Sequence, residues 1–329
     1  MKLMKKDIKP NEQVTTFFAL ESMQIRKSNK AKQNFLALNL YDKSGKITGY
    51  LWNDPIEAAA TLQEKSFVKV KGLSTTVNSS LIINIERIRK AERHEVDLRD
   101  YLEVVSGGVD LWHKRLLESV ELIKDQNCKW LAGEFLKDEG FMELFLTSPG
   151  GVSVHHNYIG GLLEHTVGIM AQGALYADRH PALLDKDLLL TGAFLHDIGK
   201  TREIYWEIAK EYTAEGKLLG HIAIGLSLLE EKLRNLKSFP ADLALLLKHM
   251  VLSHHGTLEW GSPVRPSPPE AHVLHLLDNL DAKVNHLYCH LGVSDPEAEW
   301  SPYDKILSTE IYQKKFERQS SKRLEGVAA

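Results

Sequence analysis

Residues 187–200 read DLLLTGAFLHDIGK, the most informative stretch for the fold of the second part of the chain. Its apolar run predicts a buried helix that starts near Asp187. His196 and Asp197 stand at the C-terminal end of that helix, and we expect Gly199 to end it. Adjacent imidazole and carboxylate groups that point into a protein interior suit a divalent metal ion, and a carboxylate can bridge two ions.

Histidine is confined to the later part of the chain. Residues 1–90 contain none, whereas 13 of the 15 histidines lie between residues 155 and 290. A His-Asp pair alone carries little weight, because chance predicts roughly one in a chain of this composition. The interpretation depends instead on an ordered string along the predicted helices: His165, His196, Asp197, His221, His254, His255 and Asp278.

Asp278 lies in the predicted helix HLLDNLDA of residues 275–282. A buried stripe is predicted beside it by Val273, Leu277, Leu280 and Val284. A carboxylate next to such a stripe is costly without a partner, and a cation would supply one. Asp281 lies one turn further along on roughly the same face and is the rival candidate.

Composition indicates a two-domain protein. The chain has 329 residues, of which 43% are hydrophobic and 26% charged, as in an ordinary globular protein. No run approaches the roughly 18 apolar residues of a transmembrane helix, and no apolar stretch of a signal peptide follows the N-terminal charges. Cys128 and Cys289 form neither a zinc pattern nor a disulfide framework, so we expect a cytoplasmic protein.

The charge is unevenly distributed. Residues 1–90 hold 16 Lys and Arg against 8 Asp and Glu, and the remainder holds 25 against 36. A basic module joined to an acidic, metal-binding one is typical of a protein that holds an anionic substrate in one part and cleaves it in the other. A solvated surface without a ligand explains the same count, and charge alone does not choose between these readings.

The first 90 residues predict a small β barrel. Alternating or β-branched runs predict strands over residues 14–20, 35–40, 47–52, 67–72 and 81–85, with a helical segment over 55–63. Five strands with a helix between the third and the fourth is the order of an OB fold. A charged connector follows over 91–108, and from Val109 the hydrophobic period changes to that of helices. The expected fold is therefore a small all-β barrel followed by an all-α helical bundle.

Candidate nucleic-acid contacts lie in the predicted barrel. The loop RKSNKAK of residues 26–32 carries Lys27, Lys30 and Lys32, which could follow a phosphate backbone. Tyr50 and Trp52 share a strand face by their spacing of two, so both stack on bases or both pack inside the protein. We expect the neighbouring Phe35 to be a core residue.

Three motifs carry a family resemblance: HHNYIGGLLEH at residues 155–165, LHDIGK at 195–200 and LSHHG at 252–256. Their order resembles the HD superfamily of metal-dependent phosphohydrolases. With an OB-like module in front, the chain is similar to the YhaM family of 3′→5′ exoribonucleases. The resemblance implies an N-terminal extension over 1–13, an OB-fold domain over 14–90, an HD domain over 109–310 and a basic tail over 311–329.

The resemblance also implies roles for individual residues. His165, His196, Asp197 and Asp278 would be the core metal ligands, with Asp197 bridging. A second site would be completed by His221, His254 and His255. Imidazole and carboxylate ligands around paired ions fit Mn²⁺ better than Ca²⁺. Asp197 and Lys200 would be the catalytic residues, with Lys200 facing the phosphate. His155 and His156 would contact substrate or stand at the entry of a helix.

The implied function is hydrolysis of single-stranded RNA from its 3′ end to 5′-nucleotides by metal-activated water, with single-stranded DNA as a second candidate substrate. Two alternatives stay open: a phosphohydrolase of small nucleotides, and a nucleic-acid-binding protein without activity. Neither a membrane partner nor a particular oligomeric state is implied, although a homo-oligomer is compatible with the sequence.

Overall fold

The computed structural model describes residues 3–28, 32–152, 156–206, 211–292, 294–295 and 297–314. Lys30, His155 and most of the basic tail lie outside these described residues. Within them, no helix has both the length and the apolar content needed to cross a bilayer.

The N-terminal part is a closed five-stranded barrel, which confirms the predicted OB fold. Its strands are β1 (Gln13–Lys27), β2 (Asn34–Asp42), β3 (Gly45–Leu51), β4 (Ser66–Val77) and β5 (Ser80–Lys90), with α1 (Pro55–Thr61) between β3 and β4. The strands neighbour each other in the order β1-β2-β3-β5-β4, and β3 pairs with β5 in parallel. This closure leaves no open sheet edge.

The barrel closes around alternating apolar side chains. Val14 and Phe18 of β1, Leu38 of β2 and Val70 of β4 are fully buried in one cluster. The intervening residues point outward, as the period of two requires. Most strands are longer than predicted, and charged residues at their ends still pair in the ladder, for example Lys90 of β5 with Val68 of β4.

The C-terminal part is helical. Its main elements are α2 (Val109–Glu121), α3 (Gln126–Leu136), α4 (Glu139–Thr147), α5 (Gly161–Arg179), α6 (Lys186–Leu195), α7 (Lys200–Glu203), β6 (Ile204–Tyr205), β7 (Glu211–Tyr212), α8 (Ala214–Asn235), α9 (Ala241–Ser253) and α10 (Pro269–Gly292). The side chains of Asp125, Asp138 and Asp185 cap the first turns of α3, α4 and α6. One apolar core unites these helices.

The predicted charged connector packs as a seam between the two parts. It contains two short 3-10 turns, Arg93–Glu95 and Leu98–Asp100. A buried apolar cluster, which we call the interdomain seam, is formed by Ala19, Phe67, Ala91, Val96, Leu98, Tyr101, Ile159, Ile204 and Trp206. Besides its charged residues, the connector has apolar residues that contact both the barrel and the helical domain.

Candidate metal centre

Five helices bring the seven histidines and aspartates of the sequence string to one place. α5 carries His165, the turn after α6 carries His196 and Asp197, α8 carries His221, the end of α9 carries His254 and His255, and α10 carries Asp278. His165 and His196 are fully buried, and Asp197 and His254 are each only 1% exposed. Residues that are 113 positions apart in sequence thus face a common interior space.

The side chains form two groups. In the first group, one ligand atom each of His165, His196 and Asp278 lies within 4.8 Å of the others. His165 Nε2 is 3.2 Å from His196 Nε2 and 3.3 Å from Asp278 Oδ1. Two imidazoles and a carboxylate are a typical donor set for a divalent transition metal.

The second group consists of His221, His254 and His255, whose ligand atoms also lie within 4.8 Å of one another. His221 Nε2 is 3.2 Å from His255 Nε2. His221 directly follows Gly220, where a φ of 71° breaks α8 into two segments. A residue with a side chain rarely adopts that angle, so glycine makes the kink before His221 possible.

Asp197 lies between the two groups. Its Oδ2 is 3.4 Å from His165 Nε2 and 3.3 Å from His196 Nε2. Its Oδ1 is 3.5 Å from His221 Nε2 and 3.6 Å from His254 Nε2. Each carboxylate oxygen therefore faces a different group, which is the placement that a bridging carboxylate requires.

All five histidines are oriented in the same way. In each, Nδ1–H donates to an oxygen and Nε2 points to the centre. The acceptors are Asp281 for His165 (2.7 Å), Ala193 for His196 (2.7 Å), Glu203 for His221 (3.1 Å), Val251 for His254 (2.7 Å) and Trp260 for His255 (2.8 Å). Such outer contacts fix the tautomer and orientation of metal-ligating histidines.

This orientation fits a cation better than an empty protein interior. With Nδ1 donating to Val251, the Nε2 lone pair of the neutral His254 ring points to the centre, 3.6 Å from Asp197 Oδ1. Within the described residues, Asp197 Oδ1 and His254 Nε2 are buried and have no hydrogen-bond partner. Buried polar atoms without partners are costly, and a bound divalent ion would satisfy them. The residues present therefore fit a metal centre.

Burial and charge shift the pKa values of these groups in ways that match the geometry. Burial favours the neutral imidazole of His165, but its hydrogen bonds to Asp197 and Asp278 outweigh burial and raise its pKa well above the usual range. Burial also opposes ionisation of Asp197, yet Lys200 and His196 beside it hold the pKa of that carboxyl well below its usual range.

Burial dominates in the second group, where it lowers the pKa of His254 to about 4. It also lowers the pKa of His255, with a further contribution from His221. Neutral imidazoles are the form that binds metal, so His254 and His255 are poised as ligands at neutral pH.

Lys200 lies directly beside the bridging carboxylate. Its Nζ donates to Asp197 Oδ2 at 2.6 Å, and only 8% of the residue is exposed. Burial alone would lower the pKa of Lys200, but the charges of Asp197 and Asp278 raise it. The side chain is thus a buried cation at the metal centre, where it can offset negative charge on a bound phosphate.

Gly199 does not end the helix, contrary to the prediction. α6 already ends at Leu195, and Gly199 precedes α7 with an ordinary helical φ of −66°. Gly199 instead allows two backbone segments to pack closely, because a Cβ at this position would lie 1.9 Å from the backbone oxygen of His221. The lack of a side chain lets α8 pass close to the turn that carries Asp197.

The structure gives Asp278 and Asp281 different positions. Asp278 faces His165 Nε2, whereas Asp281 accepts from Nδ1 on the other side of the same ring. Asp281 also contacts His156 Nε2 at 2.8 Å, and His156 is buried. The geometry places Asp278 among the candidate ligands and Asp281 behind one of them.

The prediction of a buried apolar stripe beside Asp278 is wrong for the C-terminal half of that stripe. Leu277 is 4% exposed, but Leu280 and Val284 are 49% and 55% exposed. α10 buries only its N-terminal part against the other helices. The partners Glu203 and Asp281 were not assigned from the sequence as supports of His221 and His165. No spacing rule links them to those rings, because they lie 18 and 116 residues away.

The candidate nucleic-acid residues lie on the outside of the barrel. Trp52 stacks on Phe35 with ring centroids 4.7 Å apart, and Tyr50 meets the same ring edge-on at 5.6 Å. All three are half-buried. The expectation that Phe35 is a core residue is wrong, because its neighbour Leu36 takes the inward position. Lys27 and Lys32 are exposed beside this face.

Comparison with known proteins defines the class. The family model of the HD domain matches residues 162–283, which include all the candidate ligands. The chain is thus an HD-domain protein in which the helices that carry the candidate ligands follow an OB-fold barrel.

The 3′-5′ exoribonuclease YhaM of Bacillus velezensis is 34% identical over 274 residues, which cover 83% of this chain and 86% of that relative. This chain belongs to the family of YhaM exoribonucleases.

Two solved structures that match this chain cover a stretch about as long as the barrel. A domain of replication protein A from Methanococcus maripaludis is 22% identical with a TM-score of 0.25, covering 28% of this chain and 97% of that chain. A replication protein A heterotrimer bound to single-stranded DNA is 16% identical with a TM-score of 0.22, covering 29% of this chain and 68% of that chain. The fold of the barrel is assigned from its own strand pairing.

Proposed function

We propose that this chain is a metal-dependent 3′→5′ exoribonuclease that hydrolyses single-stranded RNA to 5′-nucleotides, with single-stranded DNA as a second candidate substrate. The observation that carries the proposal is the position of Asp197, with one oxygen towards each of two histidine groups. The direction of digestion and the preference for RNA rest on the name of the Bacillus velezensis relative.

We further propose that two divalent ions, Mn²⁺ in the first instance, bind at this centre. Their ligands would be His165, His196, Asp197 and Asp278 on one side and His221, His254, His255 and Asp197 on the other. The donor set of imidazoles and carboxylates supports a transition metal over Ca²⁺. When bound, the ions would supply an activated water molecule and positive charge facing the phosphate.

The protein side chains hold and orient this chemistry. Asp197 and Lys200 are the proposed catalytic residues. The buried ammonium of Lys200 offsets the negative charge of the terminal phosphodiester, and its hydrogen bond to Asp197 keeps that carboxylate ionised. Asp281 and Glu203 keep Nε2 of His165 and His221 turned to the centre. Little has to reorganise when substrate binds, because these groups are fixed beforehand.

The barrel would hold the strand that is being digested. Lys27, Lys30 and Lys32 would contact its phosphates, and Tyr50 and Trp52 would stack on its bases. Exposed cations next to half-buried aromatic rings support this assignment, because this pairing binds single strands without much sequence preference. A cytoplasmic location is proposed with the free thiols of Cys128 and Cys289 in its support.

The alternatives are less well supported. A phosphohydrolase of small nucleotides would have no use for the barrel, and the exoribonuclease relative matches over 83% of this chain. A binding protein that has lost its activity would be expected to lack part of the ligand set, yet all seven side chains meet at one place.

The test is digestion of a 5′-labelled single-stranded RNA by metal-stripped protein with and without Mn²⁺. We expect a ladder that shortens from the 3′ end and depends on the metal. Asp197→Asn should reduce the rate by at least about 10³-fold, because the carboxylate serves both groups. A matched control is Asp304→Asn, since Asp304 is also a buried carboxylate held by two histidines, His286 and His290, but lies outside the centre. Intact RNA with the metal-loaded wild-type protein would refute the proposal.

A further inference from the structure

The outer face of β4 and β5 carries four cations in a compact arrangement. Lys69 and Lys71 alternate with the buried residues Val68 and Val70 on β4, so both point outward. The strand register sets Lys71 opposite Arg87 and Lys69 opposite Arg89. We call Lys69, Lys71, Arg87 and Arg89 the cation stripe.

Like charges directly opposite each other on neighbouring strands destabilise a sheet. The cation stripe contains two such pairs. Arg89 is relieved by Glu95, with an Nη2 to Oε1 distance of 2.6 Å. In the described part of the chain, Lys71 and Arg87 have no ion-pair partner, and Lys69 lies over the ring of Phe17 at 5.0 Å. The barrel therefore keeps a repulsive arrangement that the fold itself does not need.

The cation stripe forms one side of a groove of about 660 Å³. α1 forms the other side, with Asp54 at its start and Glu57 in its first turn. Glu86 also lines the groove and already accepts a hydrogen bond from Gln13 Nε2 at 3.1 Å. Asp54 and Glu57 thus lie on the helical wall, while the sheet floor presents the four cations together with Glu86.

The cation stripe is continuous with the interdomain seam. Phe67 lies two residues before Lys69 on the same strand face and packs on Tyr101, with ring centroids 4.6 Å apart. Ile204 and Trp206 reach the same seam from the segment just after α7, the helix that starts at Lys200. A polymer lying along the cation stripe would run towards the domain that contains the metal centre.

We propose that the cation stripe binds the phosphate backbone of single-stranded RNA, as a second contact surface separate from the face of Tyr50 and Trp52. This inference rests on the proposed function, which makes a single-stranded RNA the substrate. A phosphate chain removes the repulsion between the paired cations, and contacts of this kind position a strand without reading its sequence. Selection for RNA binding then explains why the barrel keeps two pairs of like charges on neighbouring strands.

The second surface is distinct from the groove near Tyr50. That groove has a volume of about 450 Å³ and is lined by residues of β1, β2 and β3, among them Arg26 and Asn39. The cation stripe belongs to β4 and β5, on another part of the closed barrel. One OB fold contacts roughly 4–16 nucleotides, so a strand long enough to reach both surfaces falls within the usual range.

The test compares K71Q/R87Q with a matched double variant, K46Q/K114Q, in the full chain. Lys46 and Lys114 are 71% and 75% exposed and lie outside the cation stripe. Dissociation constants for a labelled single-stranded RNA are measured against KCl concentration, with Asp197→Asn added to every variant to prevent digestion. Each lost phosphate contact flattens the logarithmic salt slope by about 0.7, so we expect a change of about 1.4 and roughly tenfold weaker binding for K71Q/R87Q.

Thermal unfolding provides a second readout, because only a surface with repulsion between its cations gains stability when those cations are removed. Removing the repulsion should raise the melting temperature of K71Q/R87Q above that of the wild type, while its RNA affinity falls. R87E sets a carboxylate opposite Lys71 and should show the same opposed changes more strongly. With Asp197 restored, hydrolysis of a dinucleotide should be unchanged, because this short substrate does not reach the barrel.

The outcomes separate the two proposals. If the salt slope of K71Q/R87Q equals that of K46Q/K114Q while the wild type digests RNA, the cation stripe is not a contact surface and the proposed function stands. If the slope changes as expected but the wild type digests no RNA, the surface is supported and the proposed function fails. If the wild type neither binds nor digests RNA, both are overturned.

Discussion

The metal centre and the outer faces of the barrel are built in opposite ways. In the centre, every histidine is anchored through Nδ1 and every ligand group is largely buried. On the barrel, the cations are exposed and the aromatic rings contact one another at half-buried positions. The centre is rigid and specific in its chemistry, whereas the barrel faces can adapt to a flexible ligand.

This difference matches two tasks. Cleaving a phosphodiester requires groups that are fixed before the substrate arrives, because reorganisation adds to the barrier. Holding a strand of arbitrary sequence requires charge and flat apolar surface, without fixed hydrogen-bond partners for each base.

The largest effect is expected from the two neighbouring carboxylates of α10. Asp278→Asn removes a proposed ligand and should weaken Mn²⁺ binding more than about 100-fold. Asp281→Asn removes only the acceptor behind His165 and should weaken binding by about 10–100-fold. Calorimetric titration of the metal-stripped proteins with Mn²⁺ measures both. Equal losses, or a larger loss for Asp281→Asn, would reverse the assignment of the two residues.

The next effect concerns pH. In the metal-free protein the pKa of His165 lies well above its usual range, so its ring keeps a proton at neutral pH. An ion that binds Nε2 must displace that proton, and Mn²⁺ affinity should therefore rise with pH, by up to roughly tenfold per unit, below that pKa. The pKa of His254 is about 4, so this ring adds no dependence above pH 6. Titrations at pH 6, 7 and 8 should show the rise, and a flat profile would contradict it.

The smallest effect is expected on the barrel. Trp52→Ala should weaken binding of single-stranded RNA by about tenfold, since stacking on one base contributes roughly 1–3 kcal/mol. The rate on a dinucleotide should not change. Trp300→Ala serves as the control, because Trp300 is a tryptophan that is 52% exposed and lies beyond α10. Equal affinities for the two variants would show that Trp52 only packs against Phe35.

The structure brings together the histidines and aspartates that the sequence singled out, and buried ionisable groups of this kind have few alternatives to one another as partners. Aspartates and histidines within apolar helices need partners, and an ordered string of them supplies partners to itself. The barrel was predictable for a similar reason, since inward apolar residues follow the period of two. The barrel pattern is local and is given by the spacing of the residues, whereas the choice of candidate ligands follows from the family resemblance of the ordered motifs.

What the sequence did not predict depends on contacts between distant segments. Glu203 supports His221 only because Gly199 lets α7 and α8 approach so closely. The pairing of Lys71 with Arg87 depends on a register shift between Lys71 and Gly72, and strand periodicity alone does not reveal such a shift. The outward position of Phe35 was also not predicted. A strand prediction that is shifted by one residue exchanges the inward and outward faces of the strand.

The interdomain seam has a consequence for synthesis of the chain. The barrel is complete once Lys90 has been added, but its apolar residues Ala19 and Phe67 are covered only by later segments that extend to Trp206. Translation proceeds at roughly 5–20 residues per second, so this patch stays incompletely covered for on the order of ten seconds, until Ile204 and Trp206 have been added to the seam. During that interval the nascent chain offers a chaperone a defined apolar binding site, which disappears when α7 docks.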